Sequence, residues 1–276
     1  MDLPHLYRAK KPLQSAVDSD IIDISYHERR PYPMKATVIC FSPTGNSRAS
    51  AIAMAKAIAD ETEVIDLTAS AALRMLSPSD FAIFAAPVYA GRIPYVAAER
   101  FAAITGNNTP CIIVASYGNR HYDDALLEMA DIAAEQGFIV RGAAAVIGRH
   151  TYGEIQTDRP NEDDFAQMRT FAQQALANAG TPAIPGNRPY REGGKGGKFR
   201  QLTGDACIHC GLCARNCPTH AIGSDHISVS EGCISCFRCI RNCPKKAKHM
   251  NTPEYNDFAA MFTQKLSQRR ENEFFL

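Results

Sequence analysis

Tryptophan is absent from all 276 residues, so a flat ligand that stacks on an aromatic ring here must use tyrosine, phenylalanine or histidine. No apolar run approaches the roughly 18–20 residues needed to span a bilayer, and the first residues carry no signal-peptide apolar segment. Neither membrane insertion nor export is expected. A charge imbalance is missing too: 30 Lys and Arg stand against 29 Asp and Glu, a formal net charge of +1. That balance leaves no global electrostatic case for nucleic acid or an anionic membrane surface. Two common phosphate signatures are also lacking. There is no Gly-x4-Gly-Lys-Ser/Thr and no Gly-x-Gly-x-x-Gly after a strand, which disfavours nucleoside triphosphates and a Rossmann dinucleotide site.

Cysteine is what the chain has in excess, and in one place. Eight of its ten cysteines lie in a single stretch written twice: Cys207-x2-Cys210-x2-Cys213-x3-Cys217-Pro218, then Cys233-x2-Cys236-x2-Cys239-x3-Cys243-Pro244. Two residues between thiolates let three sulfurs grip neighbouring corners of one Fe4S4 cube, while the fourth cysteine is carried away by the turn at its proline. The competing assignments are zinc knuckles, which usually use two separated ligand pairs, and disulfides, which belong to oxidising compartments. The stretch resembles bacterial two-cluster ferredoxins. That resemblance implies two [4Fe-4S] clusters in which each fourth cysteine ligates the other cube. One set would be Cys207, Cys210, Cys213 and Cys243, the other Cys233, Cys236, Cys239 and Cys217. Oxygen-sensitive cubes argue for a reducing cytoplasm, in an organism living with little oxygen. His209, His220, His226 and His249 lie nearby and are expected to be surface or packing residues, because the cysteine sets are complete.

The length accommodates a full-sized domain plus a small one. From Lys35 onward, short apolar runs alternate with amphipathic segments, the pattern of a parallel sheet with helices on both faces. Strands are predicted at 36–41, 63–67, 81–87, 111–116 and 138–147, and helices at 47–60, 69–75, 95–105, 123–136 and 162–179. The count predicts a flavodoxin-like, doubly wound α/β sheet of five parallel strands in the order 2-1-3-4-5. Cys40 and Cys111 fall inside apolar strands and are expected to be buried core thiols.

The first strand runs into Phe41-Ser42-Pro43-Thr44-Gly45-Asn46-Ser47-Arg48. A hydroxyl-rich turn opening a helix at its positive end can wrap a phosphate monoester, although Asn46 or Ser47 would also serve as a plain helix cap. This loop resembles the phosphate-binding loop of flavodoxins, with Ser47 in place of a common threonine. Two more loops follow strands three and four: Pro87-Val88-Tyr89-Ala90-Gly91-Arg92-Ile93-Pro94 and Ser116-Tyr117-Gly118-Asn119-Arg120-His121-Tyr122-Asp123-Asp124. In such sheets ligands sit beyond the carboxyl ends of the strands, and both loops are similar to those that flank the flavin in flavodoxin-like proteins. The resemblance implies FMN held by Ser42, Thr44, Gly45, Asn46 and Ser47, by Pro87, Val88, Tyr89, Ala90 and Gly91, and by Ser116, Tyr117, Gly118, Asn119, Tyr122 and Asp123.

The predicted organisation is an N-terminal extension (1–33) whose Ile21–Tyr26 run would suit an edge strand, a flavodoxin-like FMN domain (34–180), a flexible linker (181–203), a ferredoxin domain (204–252) and a C-terminal helical tail (253–276). The linker reading rests on Pro182, Pro185, Pro189 and the run Gly193-Gly194-Lys195-Gly196-Gly197-Lys198, which lacks the strand-turn-helix context of a phosphate cradle. In the tail, Phe258, Met261, Phe262, Lys265 and Leu266 recur at helical spacing. The whole resembles flavodoxin-ferredoxin fusion proteins of anaerobic microbes. Such a chain implies an electron carrier serving a redox protein partner; the alternatives are a flavin-dependent reductase of a small molecule (quinone, nitro compound or disulfide) and a redox sensor. No catalytic residue is assigned.

Overall fold

The computed structural model describes residues 35–276; the N-terminal extension and its expected edge strand lie outside the described residues. Five long strands, β1 (Lys35–Cys40), β2 (Glu61–Asp66), β3 (Phe81–Pro87), β4 (Thr109–Tyr117) and β5 (Phe138–Ile147), run parallel in the order β2-β1-β3-β4-β5. Four helices connect or follow them: α1 (Asn46–Ile58), α2 (Tyr95–Phe101), α3 (Ala125–Glu135) and α4 (Glu162–Ala177). Strand β3 is buried on both faces, as its unbroken apolar run requires. Alternate residues feed two separate cores. Phe81, Ile83, Ala85, Ile112, Val114 and Val146 join Met54, Ile58, Met168 and Phe171 under α1 and α4. Ala82, Phe84, Ala86, Ile113, Ala145 and Ile147 join Val96, Phe101, Leu126 and Met129 under α2 and α3. Each fully buried Ile or Phe contributes roughly 1.5–3 kcal/mol through burial alone. Cys40 and Cys111 are fully buried in these cores. The result is a flavodoxin-like α/β fold with a mostly parallel sheet.

The sheet has a sixth strand that the sequence reading missed. Residues Glu273–Phe275 form β6, antiparallel to β5 at the sheet edge, with Phe274 opposite Ala144. The C-terminal tail is therefore helical only over α7 (Pro253–Lys265) when the short helices α5 (Leu212–Arg215) and α6 (Arg238–Arg241) are counted. Period-two geometry sends Phe274 onto Phe171, with ring centroids 4.8 Å apart, and Phe275 to the opposite core. The small side chains of Ala143, Ala144 and Ala145 leave room for the two rings. A helix predicted over 69–75 is also corrected. Leu73 and Met75 are 88% and 75% exposed, so the segment has no apolar face to bury; Arg74–Met75 instead pairs with Ile104–Thr105, which ends α2 early.

The cysteine stretch repeats itself in backbone as well as in sequence. Left-handed conformations recur at His209, Gly211 and His220 in the first half (φ 51°, 73°, 52°) and at Ser235, Phe237 and Lys246 in the second (φ 52°, 56°, 52°). Each half then carries one short helix, α5 or α6. Ala221 N–H and Ala247 N–H donate to Cys217 Sγ and Cys243 Sγ, both at 3.3 Å. Leu202–Thr203 pairs with Lys248–His249 and closes the unit.

The segment 181–203 is not a free tether. Asp124 accepts from Asn187 N and Arg191 N, Gly194 N–H donates to Tyr89 O, and Ser235 Oγ donates to Gly197 O and Phe199 O. Composition suggested flexibility because glycine usually means freedom. Here it means proximity: a Cβ on Gly193 would crowd Ala90 O, and one on Gly196 would overlap the Ile234 backbone. Phe199, Phe237 and Met250 form a third apolar cluster with Tyr152, Tyr255 and Phe258. Among the described residues no helix is long and apolar enough to cross a membrane.

Candidate functional site

A cleft opens beyond the carboxyl ends of β1, β3, β4 and β5, where the strand order reverses between β1 and β3. Its floor begins at the loop after β1. Gly45, in the left-handed region at φ 98°, is the N-cap of α1 and supplies no side-chain cap. That leaves the N–H groups of Asn46 and Ser47, both cleft-lining residues, without a partner among the described residues, while the next amide is capped from Ser42. Ser42 Oγ accepts from Arg48 N at 3.0 Å, while Ser42 N–H donates to Thr68 Oγ1 at 2.7 Å, which fixes the turn. Ser47 is buried with its hydroxyl 2.6 Å from that of Ser116 at the end of β4. Asn46 Nδ2 donates to Arg149 O at 3.1 Å.

The loop after β3 makes a tight turn in which Tyr89 N–H donates to Arg92 O at 2.7 Å. Its two corner residues, Ala90 and Gly91, have φ of 54° and 90°. A side chain at Gly91 would overlap Asp123 and Arg191 as well, so both conformation and space call for glycine. Glu128 locks the turn to α3, accepting from Arg92 Nε and Nη2, both at 2.7 Å, and from Ile93 N at 3.0 Å.

Of the residues singled out by sequence, Ser42, Thr44, Asn46, Ser47, Pro87, Val88, Tyr89, Ala90, Gly91, Ser116, Tyr117 and Gly118 line the cleft. Gly45 is not among the lining residues but starts α1 beside them. Three do not belong to the cleft. Asn119 Nδ2 donates to Leu266 O and Gln268 O, and its Oδ1 accepts from Arg270 N. Tyr122 O–H donates to Glu273 at 2.8 Å, and Asp123 forms ion pairs with Arg120 and Arg191. These side chains hold the approach to β6, β6 itself and the 181–203 segment.

Sequence reasoning missed the roof. Arg149, His150 and Tyr152 after β5, Lys195 to Gly197, Ile234 and Ser235, and Phe258 and Phe262 of α7 all line the same cleft. The glycine run and the phenylalanine stripe were the available signals. Lys195 brings positive charge, as do Arg120 and Arg149, each already paired with a carboxylate outside the lining, Asp123 and Glu154; no carboxylate is among the described lining residues, which suits an anionic ligand. Burial pushes the His150 imidazole down to about 4, so it is neutral at pH 7, and its Nδ1 accepts from Tyr152 N at 2.8 Å. Burial also pushes the Tyr117 phenol up to about 12. Two polar atoms of cleft-lining residues, Tyr117 OH and Arg149 Nε, are buried without a hydrogen-bond partner among the described residues. Unpaired buried donors of this kind call for a ligand acceptor.

The eight repeated cysteines surround two further cavities. Cys207, Cys210, Cys213 and Cys243 line one, with Cys210 exposed; Cys217, Cys233, Cys236 and Cys239 line the other. The second, inner cavity lies against the sheet: Ile234 and Cys236 belong to the α2/α3 core. Arg100 Nη2 donates to Pro218 O at 2.6 Å and Arg238 Nη1 to Pro43 O at 3.2 Å, tying this cavity to α2 and to the loop after β1. All ten cysteines are free thiols. Among the described residues no three metal-binding side chains converge on a single ion position; each set of four thiols rings a space instead. Burial pushes Cys236 and Cys239 up to about 12, so loading iron there must expel protons.

Residues 204–223 match the sequence model of the 4Fe-4S binding domain. This iron-sulfur match covers the first cysteine motif. No curated protein matches the chain. Among solved structures, a flavodoxin from the domain Archaea is 16% identical over 52% of this chain and 98% of its own, with a TM-score of 0.38. Flavodoxin 1 from Bacillus cereus is 17% identical over 53% and 99%, with a TM-score of 0.39. Rubredoxin oxygen:oxidoreductase from Desulfovibrio gigas is 15% identical over 55% of this chain and 37% of its own, with a TM-score of 0.37. The fold assignment rests on the strand order and on the two helical layers. An iron-sulfur motif beside a cleft at the switch point of such a sheet is consistent with electron transfer.

Proposed function

We propose that the chain is a cytoplasmic electron-transfer protein that holds FMN in the cleft and one [4Fe-4S] cluster in each thiol-lined cavity, passing electrons between them and on to a redox protein partner. The observation that carries this reading is a shared wall. Ile234 and Ser235 line both the cleft and the inner cavity, so the two sites are separated by one stretch of backbone.

When bound, FMN supplies a group that accepts electrons in pairs and releases them singly, which suits clusters that each move one. The chain's own groups divide the remaining work. The N–H groups of Asn46 and Ser47 at the start of α1 and the Thr44 hydroxyl would receive the phosphate, with Lys195, and Arg149 shared with Glu154, offsetting its charge. Tyr117 OH would donate to a ring or ribityl acceptor. The Ala90–Gly91 turn would border the ring, and Phe258 and Phe262 would exclude water from it. Cys207, Cys210, Cys213 and Cys243 would hold the outer cluster; Cys217, Cys233, Cys236 and Cys239 the inner one.

Anaerobic reconstitution tests this directly, with about eight iron and one FMN expected per chain. After the clusters are reduced, the flavin should follow at a rate independent of protein concentration. Stoichiometric zinc in place of iron, or equal affinity for riboflavin and FMN, would overturn it.

A further inference from the structure

Resting on that reading, we propose that Gln201 and Arg238 are hydrogen-bond donors to the inner cluster and raise its reduction potential. Gln201 is 4% exposed and lines the inner cavity with the four thiols, yet neither atom of its amide has a hydrogen-bond partner among the described residues. Arg238 lines the same cavity, and its Nε is likewise buried and unpartnered.

Thiolate and sulfide sulfurs accept hydrogen bonds and cannot donate them, so the amide would present Nε2 to the cavity. Adding one electron to a cube makes it more negative, with no bond formed or broken. Donors aimed at its sulfurs stabilise that reduced form and move the potential upward. The outer cavity has no counterpart. Its buried cation, Lys248, is already committed to Thr203 Oγ1 and His226 O, and no unpartnered buried side-chain atom lines it among the described residues. The same guanidinium reaches the cleft loop through Arg238 Nη1 and Pro43 O, so Arg238 joins the two sites.

The test is a potentiometric titration of the reconstituted full chain followed by low-temperature electron paramagnetic resonance. Gln201→Leu should lower one of two midpoint potentials at unchanged iron content, and Gln201→His, which restores an N–H donor, should recover part of the shift. Arg238→Lys should lower the same potential. Cys210→Ser marks the outer cluster, so a shift confined to the outer signal, or no shift in Gln201→Leu, overturns the proposal. Should Gln201→Leu fail to take up iron, pulsed resonance on the parent chain with ¹⁵N-labelled glutamine side chains decides. A nitrogen coupling on the inner cluster supports the assignment and its absence overturns it. A parent chain that binds no iron would instead remove the functional reading itself.

Discussion

Tyr117 is where a single atom exposes the difference between a residue that stabilises and one that binds. The residue lines the cleft and its hydroxyl is buried with no partner among the described residues, so in the ligand-free chain it is a cost. Tyr117→Phe should therefore leave the apoprotein as stable or more so, while weakening FMN by about 1–2 kcal/mol, or roughly 5- to 30-fold. Paired urea denaturation and flavin titration would check both signs. His150 makes a different prediction. Its folded value of about 4 lies below the ordinary 6.5, so the unfolded chain takes a proton that the native chain refuses. Stability should fall as pH drops below about 6.5 and stop falling on this account below about 4. Between pH 7.5 and 5.5 the loss from this group is about 1.4 kcal/mol at most. His150→Phe should flatten that part of the profile; an unchanged slope would show that the ring is not shielded.

At the scale of elements, β6 is the least expected piece and among the best anchored. A buried ion pair between Arg159 and Asp164 is completed by Arg159 Nη1 donating to Arg270 O at 2.6 Å and Asn272 Nδ2 donating to Asp164 at 2.9 Å. Asn119 fixes the approach to the strand through three more bonds at a φ of 65°, a conformation asparagine tolerates better than most. Asn119→Gly keeps the backbone at ease and removes only the side-chain bonds. It should cost about 2–4 kcal/mol, read as a lower urea midpoint. A loss under about 0.5 kcal/mol would mean that the strand holds itself in place.

For the whole molecule, the decisive feature is the seam where the sheet, the 181–203 segment and the cysteine repeat meet. Gly196 lies so close to the Ile234 backbone that any side chain would overlap it, and rigid backbone cannot yield as a side chain would. Gly196→Ala should widen the seam and slow electron exchange between the inner cluster and FMN at unchanged iron and flavin content, as stopped-flow absorbance would record. An unaltered rate would mean that the seam is not the route. The parallel strands, the loop after β1 and the cysteine repeat were all legible in the sequence, because each is specified by local spacing: period two, a hydroxyl-rich turn before a helix, two residues between thiols. What the sequence could not reveal was the roof over the cleft and the sixth strand. Both depend on contacts between residues far apart in the chain, such as Asn119 with Leu266 or Gly197 with Ser235. Glycine and terminal residues read as loose by composition because composition reports the freedom of the isolated chain; only packing in three dimensions decided that these were the places where two parts of the molecule come closest.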